Sequence, residues 1–276
     1  MGDNIDSLLN RSRNAVSGTH PLVDRIVSAT VRHYATARIG QARIVGAVRH
    51  DAPIDPQRLY EVNPQRIERT VSWTRISADP KADEHPRFRR PKYRLAGRVF
   101  DGDWDRTADR VTDSTVYRSF RAHFEDGVPW ERTDFYAEML SVFEAGAEQW
   151  DCRSEADLRR RCNRLDELYE DMAIEGYRSQ NELYERDRST ASSHEIYRVV
   201  WGEIAVNVGR NGEFVFQDGR NRLALARLLE LDSVPVVILV RHEDWQRTRD
   251  RVARGELTRA DLPERLRRHP DLVGLF

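Results

Sequence analysis

The residues with the most suggestive spacing form the run Asp218-Gly219-Arg220-Asn221-Arg222. A short apolar segment ends there, and RNRLALARLLEL, which is apolar nearly all round and predicts a buried helix, begins at once. The first turn of a helix offers unpaired N–H groups and the positive end of the helix dipole, and glycine allows a ligand to approach the backbone. Two arginines and an amide there predict a phosphate site. A structural turn, with Asp218 as the helix cap and solvated arginines, remains the alternative.

Two acids and a histidine are candidates for the chemistry that accompanies a bound phosphate. Asp218 adjoins the glycine turn, and Glu203 opens the strand-like segment before it. Either carboxylate is able to hold Mg²⁺ or accept the hydroxyl proton of a phosphoryl acceptor. His242 follows the last apolar run, at a strand end of the kind where open α/β sheets bind ligands. We therefore predict Asp218 and Glu203 as catalytic and His242 as part of the phosphate site; surface or packing roles are the alternatives.

Motifs of several other enzyme classes are absent from the sequence. Cys152 and Cys162 lie ten positions apart with no histidine nearby, so no metal site built on cysteine is predicted. There is no Walker A loop, no H-E-x-x-H, no G-x-S-x-G and no Rossmann fingerprint. A Walker-type ATPase is therefore disfavoured, because its phosphate cradle needs those residues in one loop.

Periodicity predicts the elements that hold these residues. Alternation and a continuous apolar run predict four strands, at 59–62, 203–208, 214–217 and 235–240, with a hairpin turn at 209–212. A further strand is predicted through Val99 and Phe100. Helices are predicted at 21–38, through most of 113–186, and as two charged helices over 243–268 joined near Gly255. Together these elements predict an α+β protein with a small mixed sheet, packed helices and a helical elaboration.

The clearest helix begins after Ser154. Its apolar residues are spaced 4, 3, 4 and 3 apart, which is typical of one buried face, and Gly176 supplies its end. Those residues are Leu158, Cys162, Leu165, Tyr169 and Met172.

Three blocks of the sequence resemble the ParB/sulfiredoxin superfamily. DGRNRLALA followed by LLELDSVPV looks like its phosphate-binding block: a strand, D-G-x-x-R-L-x-A-x, a short helix, and a strand that opens with V-P-V. RLDELYEDMAIEGYRSQNEL (164–183) is similar to the helix and glycine turn that precede the family's core hairpin, and LYEVNPQRIER (59–69) to its opening strand. The order of the blocks also agrees. The resemblance implies a domain over 57–245, after an N-terminal helical segment (1–56) and before a helical tail (246–276).

The chain also departs from the family pattern. Residues 70–160 form an insertion where the family has few residues. The G-E-R-R-x-R-A box with which partition proteins grip nucleotide is matched only by Gly219, Arg220 and Arg222. Arg220 also stands where sulfiredoxins have their cysteine, which excludes sulfinic-acid reduction through that cysteine.

The resemblance implies a phosphate pocket rather than one activity, because the family includes CTP-binding partition proteins, small-molecule kinases and supposed nucleases. We predict a nucleotide cofactor (ATP, ADP or CTP) with Mg²⁺, and a phosphotransferase, or kinase, that acts on a small hydroxylated molecule. The alternative is a non-enzymatic DNA-associated or nucleotide-switch module. A third possibility is a pocket that has lost catalysis and serves as an interaction scaffold.

The composition limits which partners and which cellular compartment are expected for the protein. The 45 basic and 46 acidic residues leave a net charge of −1, which disfavours a strongly basic nucleic-acid binder. One basic and aromatic patch, RFRRPKYR (87–94), is of the type that binds nucleic acid, although a solvated loop is the alternative. No apolar run approaches the roughly 20 residues of a membrane span. With no readable signal peptide and only two cysteines, we expect a cytoplasmic protein without a membrane partner.

Overall fold

The computed structural model describes residues 39–71, 95–106, 109–147, 152–186 and 202–276, together with residues 33, 36 and 37. The predicted basic patch at 87–94 lies outside the described residues, as does almost all of the helix predicted at 21–38. Within the described ranges the fold is α+β, as predicted, with helices packed on a mixed sheet.

One seven-stranded sheet organises the described part of the chain. Its strand order is β1-β7-β5-β6-β2-β4, and β3 also pairs with β7. The strands are β1 (Leu59–Val62), β2 (Arg69–Thr70), β3 (Arg98–Phe100), β4 (Asp109–Arg110), β5 (Ile204–Val208), β6 (Phe214–Asp218) and β7 (Val234–His242). The four principal strands and the strand through Val99 and Phe100 are confirmed. The two-residue strands β2 and β4 were not predicted, because so short a segment carries no periodicity.

Strand β7 lies next to one edge of the sheet and pairs with three strands, more than any other described strand. All nine of its residues are buried, which matches its nearly continuous apolar sequence. Strand β5 runs parallel to it along one edge. Along the other edge, β1 pairs antiparallel with residues 234–237 and β3 pairs parallel with residues 240–242, so the two short strands lie end to end. The two ends of β7 therefore have different neighbours on this side: β1 at residues 234–237 and β3 at residues 240–242.

The helices begin and end where the sequence places caps and glycines. The Ser154 side chain accepts a hydrogen bond from the Asp157 N–H, and the helix after it ends at Gly176, whose φ is 75°. Its predicted apolar stripe faces the core, as expected. The helices are α1 (residues 39–49), α2 (Thr115–Phe124), α3 (Asp134–Glu144), α4 (Glu155–Glu175), α5 (Gln180–Arg186), α6 (Arg220–Leu228) and α7 (Glu243–Ala253).

Both faces of the sheet are covered. On one face a large cluster joins α2, α3, α4 and α6 to the sheet through residues such as Phe120, Phe135, Leu158, Ile204 and Leu223. On the other face a smaller cluster joins α1 and the 95–104 segment to the sheet through residues such as Ile39, Leu95, Trp104, Ala205 and Val237. The large cluster also contains Leu262, Leu266 and Leu272. The described parts of the predicted insertion and tail therefore share one core with the sheet.

Helix α1 (residues 39–49) lies within the N-terminal segment that was predicted to be helical, although its sequence IGQARIVGAVR has two glycines and several β-branched residues that disfavour a helix in isolation. One prediction about local structure is wrong. The second charged helix predicted after Gly255 is replaced by two 3₁₀ turns, Arg259–Asp261 and Glu264–Leu266. Pro263 lies between them, and a proline cannot continue a helical hydrogen-bond ladder.

A buried ionic cluster joins the C-terminal segment to β7 and α7. The carboxylate of Asp271 accepts hydrogen bonds from Arg241 at 2.6 and 2.8 Å and from the Trp245 indole at 2.9 Å. Arg249 lies 3.2 Å from the same carboxylate. Asp271, Arg241 and Arg249 are all buried, and the two arginines hold the pKa of the Asp271 carboxyl well below its usual range despite the opposing effect of burial. The C-terminal segment is thus held to β7 and α7 by the Asp271 carboxylate, which pairs with two arginines.

His269 lies beside this cluster in its neutral form. Its Nε2 donates to the carbonyl of Gly212 at 2.9 Å, while its Nδ1 accepts from the Asp271 N–H at 3.2 Å. A proton on Nδ1 would face that N–H group. Burial is the main cause that lowers the pKa of His269 from its ordinary value of 6.5 to about 4.

This depressed pKa makes folding sensitive to pH. Between pH 4 and 6.5 the unfolded chain binds a proton that folded His269 does not, so its contribution to stability is present above pH 6.5 and is lost as the pH falls towards 4. The full loss is about 3 kcal/mol. We expect the free energy of unfolding, measured by denaturant titration, to fall across this window. His269→Gln should flatten the fall; an unchanged slope in that variant would contradict the assignment.

Candidate functional site

The hairpin of β5 and β6 brings the two predicted acids to one end of the sheet. Glu203 immediately precedes β5, Asp218 ends β6, and the antiparallel register pairs Ala205 with Asp218. Helix α6 begins two residues after Asp218, so its first turn lies at the same end. The structure therefore gathers both acids, Gly219 and the first turn of α6.

Gly219 is required here by packing. Its φ of 93° lies in the left-handed region, and a Cβ at this position would lie 3.0 Å from the Cα of Ile204. The side of Gly219 that a side chain would occupy therefore faces strand β5. The positive φ and the contact with Ile204 already explain why this residue is a glycine. The close approach of a ligand, which the sequence predicted, is therefore not needed to explain it.

The first turn of α6 has no side-chain cap among the described residues. The Asp218 carboxylate accepts from the N–H of Gly219 at 2.8 Å, and the N-cap residue is Gly219 itself, which has no side chain to cap with. The first turn contains no acidic residue. Uncapped N–H groups and the helix dipole leave this turn suited to an anion.

Arg222 is fixed by a buried polar network. Its Nη1 donates to the Tyr177 hydroxyl at 2.7 Å and lies 3.4 Å from the Glu203 carboxylate, while its Nη2 donates to the carbonyl of Gly202. The guanidinium also lies over the Tyr177 ring, 5.8 Å from its centroid. The side chain of Arg222 is 20% exposed and that of Glu203 is 0% exposed. The network thus orients a cation that still reaches solvent.

Both oxygens of the Glu203 carboxylate are engaged. Tyr177 donates its hydroxyl hydrogen to Oε2 at 2.8 Å, and the Gln180 N–H donates to Oε1 at 2.5 Å. Burial raises the pKa of the Tyr177 hydroxyl well above its ordinary range; Arg222 lowers it and Glu203 raises it further. Tyr177 therefore keeps its proton, accepting from Arg222 and donating to Glu203. The contacts make Glu203 a partner that positions Arg222.

The remaining predicted residues divide between this end of the sheet and the other. Arg220 is exposed and Asn221 is half-buried in the first turn of α6. His242 ends β7, six residues beyond Val236, which pairs with Ile204. At about 3.3 Å per residue it lies roughly 20 Å from the Gly219 turn. Its Nε2 bonds the Gly102 carbonyl at 2.8 Å and its Nδ1 accepts from the Asp244 N–H. The prediction that placed His242 at the phosphate site is corrected.

The donor set at the turn is compatible with a magnesium–phosphate complex. Magnesium in such complexes takes one or two carboxylates in addition to phosphate oxygens and water. Asp218 is half-buried at the uncapped helix turn and supplies one carboxylate, whereas Glu203 is already bonded to three groups. No group of three or more histidine, cysteine or acidic residues suited to a metal ion occurs among the described residues. The phosphate would therefore have to supply most of the magnesium ligands.

The comparisons with known proteins gave no relatives. No family model matches the chain, and neither a curated protein nor a solved structure matches it. The described helices include none that is long and apolar enough to cross a membrane. Functional inference therefore depends on the geometry of the site.

Sequence reasoning missed Tyr177 and Gln180. The peptide that carries them follows Gly176, where the positive φ turns the chain from α4 towards Glu203. The signal available in the sequence was the glycine stop of α4 followed by a tyrosine. Its pairing with a glutamate 26 positions later depends on tertiary structure.

Proposed function

We propose that the first turn of α6 binds the phosphate group of a nucleotide or another phosphorylated small molecule. The observation that carries the proposal is the fixed guanidinium of Arg222, which reaches solvent beside an uncapped helix N-terminus. A guanidinium matches the geometry of phosphate oxygens, and the helix end adds N–H donors. Arg220, exposed on the same turn, contributes a second positive charge.

Fixing Arg222 before the ligand arrives favours binding. A free arginine side chain loses rotamer freedom when it orders on a ligand, and that loss reduces affinity. Here Glu203, Tyr177 and the Gly202 carbonyl already hold the guanidinium. The same contacts neutralise part of its charge. This arrangement suits selective recognition of a phosphate in one orientation more than general attraction of anions.

The reaction we propose is transfer of a phosphoryl group from a nucleotide to a small hydroxylated molecule. Magnesium bound to the nucleotide supplies neutralisation of phosphate charge. Arg222 and the α6 N–H groups bind and orient the phosphate, and Asp218 holds the metal or accepts the proton of the acceptor hydroxyl. Asp218 fits this role better than Glu203, because the carboxylate of Glu203 is enclosed by Tyr177, Gln180 and Arg222.

A binding module without catalysis is the second candidate. The observation that favours it is that Glu203 serves as a structural partner of Arg222, so that a chemical role is assigned to one of the two acids predicted to be catalytic. A nucleotide switch or DNA-associated module would need the phosphate site alone. A measurement of catalytic turnover distinguishes the phosphotransferase from the binding module.

Removal of Arg222 should weaken ligand binding strongly. Arg222→Ala deletes a charged hydrogen bond worth about 1.5–3 kcal/mol, so affinity should fall by roughly ten- to a hundredfold. A thermal-shift panel of ATP, ADP, CTP, GTP and phosphorylated sugars would select the ligand, and calorimetry would compare wild type with variant.

The matched control is Glu203→Gln. It also breaks the ion pair with Arg222 but keeps the cation, so affinity should stay within about threefold of wild type. Both variants should lose stability, and affinities are therefore measured at a temperature where each is folded. Equal affinity of wild type and Arg222→Ala, or an equal loss in both variants, would show that Arg222 serves the fold alone.

A further inference from the structure

The outer face of α4 changes the sign of its charge half-way along the helix. The buried residues of α4 all lie on one side, where they pack in the large core cluster. Since successive residues of a helix are about 100° apart, the positions opposite that side can be read from the sequence. They are Ala156, Arg160, Asn163, Glu167, Glu170 and Ile174, and all of them are exposed. Arg164 and Asp171 flank them and are exposed as well. The first half of this face is therefore basic and the second half acidic.

Most of these charges have no partner within the described part of the chain. Arg164, Glu167, Glu170 and Asp171 form no ion pair and no side-chain hydrogen bond with any residue that the structure describes. Arg160 pairs with Asp157 on the same helix but remains 66% exposed. The charges of this face can therefore meet a second surface at the cost of one exposed ion pair, which contributes little to stability.

This arrangement of charge is unfavourable for a helix surrounded by water alone. Arg160 and Arg164 are like charges four residues apart, as are Glu167 and Asp171, and such pairs repel each other on a helix. The last turn of α4 contains no basic residue, although the helix dipole favours cations there. A second surface that places cations beside the acidic half and anions beside the basic half would offset both effects.

An antiparallel copy of α4 is such a surface. If two helices are related by a two-fold axis midway between Asn163 and Glu167, Arg160 of each copy lies beside Glu170 of the other. Asn163 of each copy then lies beside Glu167 of the other, and every contact occurs twice because of the symmetry. A parallel pair would place arginine against arginine and glutamate against glutamate. The charges therefore favour the antiparallel direction.

Ile174 gives the same face an apolar contact. Its side chain is 82% exposed, the highest value among the large apolar residues that the structure describes. In the antiparallel pair it lies against Ala156 of the second copy, because the two residues are equally far from the axis. Burial of the isoleucine against this small side chain is favourable. The face therefore has complementary charges along its middle and an apolar contact at each end.

We infer that the outer face of α4 is a self-association surface at which two copies of this chain pair antiparallel. From Ala156 to Ile174 the face is about 27 Å long. A single helix of that length offers much less than the roughly 800 Å² per partner of a standard interface. The dimer is therefore weak, with a Kd on the order of 100 µM, and the complementary charges fix its geometry. The inference is independent of the proposed phosphate site, whose residues lie outside α4.

Analytical ultracentrifugation of the full chain tests this inference. Between about 10 and 500 µM, wild type should show a monomer–dimer equilibrium that is at least tenfold weaker in about 500 mM than in about 20 mM salt, because salt screens exposed charges. Arg160→Glu with Arg164→Glu makes the face predominantly acidic, and Glu167→Arg with Glu170→Arg makes it predominantly basic. Each double variant should be monomeric. Their equimolar mixture should form a heterodimer at least as tight as the wild-type dimer, because opposite charges then meet along the whole face.

Arg121→Glu with Arg268→Glu is the matched control. It changes the net charge as much as the acidic variant does, on exposed residues outside α4, and it should dimerise like wild type. Mixed with the basic variant, it should associate at least tenfold more weakly than the acidic variant does. Melting temperatures should stay close to that of wild type, because every substituted residue is exposed.

Three results would each overturn the inference. The first is a wild-type chain that stays monomeric up to about 500 µM in low salt, where the dimer is expected to be populated. The second is a folded double variant that dimerises as wild type does. The third is a mixture of the two double variants that associates no more than its components.

Discussion

Asp271→Asn should lower the free energy of unfolding by about 3–5 kcal/mol, the usual cost of removing one partner of a buried ion pair. The substitution keeps the size of the side chain but leaves Arg241 and Arg249 buried without their anion. Both arginines are at most 3% exposed, so water cannot replace the lost charge. For a chain of this size the melting temperature should fall by roughly 6–15 °C.

Denaturant titration followed by circular dichroism measures this loss. Glu264→Gln is the matched control, because it removes an exposed acid from the same C-terminal segment and should change stability by less than about 0.5 kcal/mol. Arg241→Met combined with Asp271→Asn should cost less than the sum of the single changes, because each single change leaves a charge unpaired. A cost below about 1 kcal/mol for Asp271→Asn would show that the cluster contributes little.

Asp218→Asn should reduce magnesium-dependent phosphoryl transfer by a hundredfold or more, the usual effect of losing a general base or a metal ligand. The fold should be unaffected. The asparagine oxygen accepts the same hydrogen bond from the Gly219 N–H as the carboxylate does now, so the turn before α6 keeps its geometry. Nucleotide binding should persist, because Arg222 and the helix N-terminus remain.

The assay follows ADP release from ATP with a panel of small hydroxylated acceptors, with and without magnesium, alongside the melting temperature of each variant. Glu203→Gln provides the contrast: it should lower the melting temperature while retaining more turnover per folded molecule than Asp218→Asn. If Asp218→Asn unfolds the chain and turnover per folded molecule is intact, Asp218 is structural and the mechanism is wrong. If wild type transfers phosphate to no acceptor, the binding module replaces the phosphotransferase.

The predictability of each element follows from how locally its structure is determined. The hairpin, helix α6 and strand β7 were predictable because alternation, a glycine turn and an apolar run act within a few residues. The bounds of helix α1 within the predicted N-terminal helical segment were not predictable, because its glycines and valines favour other conformations and packing against Ile54 and the sheet stabilises the helix instead. The 3₁₀ turns stand in place of the predicted second helix because Pro263 interrupts the helical hydrogen-bond ladder.

The site was predictable in part for the same reason. The turn at 218–222 is one local unit, so its residues necessarily lie together. Glu203 joins them because a hairpin pairs the strands that carry both acids. Tyr177 and His242 depend on long-range structure: the first is brought in by the turn after α4, and the second is carried away by the length of β7. Neither the closeness of Tyr177 to Glu203 nor the distance of His242 from the turn can be read from the spacing of these residues in the sequence.

The position of β7 in the sheet has a consequence for synthesis of the chain. This strand is the last of the seven to leave the ribosome, yet β1, β3 and β5 all pair with it. A nascent chain that ends before β7 therefore holds the unpaired backbone edges of three strands without the partner that covers them, and sequence-distant pairing of this kind is slow. During that interval the exposed edges are open to pairing with other nascent chains, a hazard that is smaller for a protein whose most-paired strand is made first.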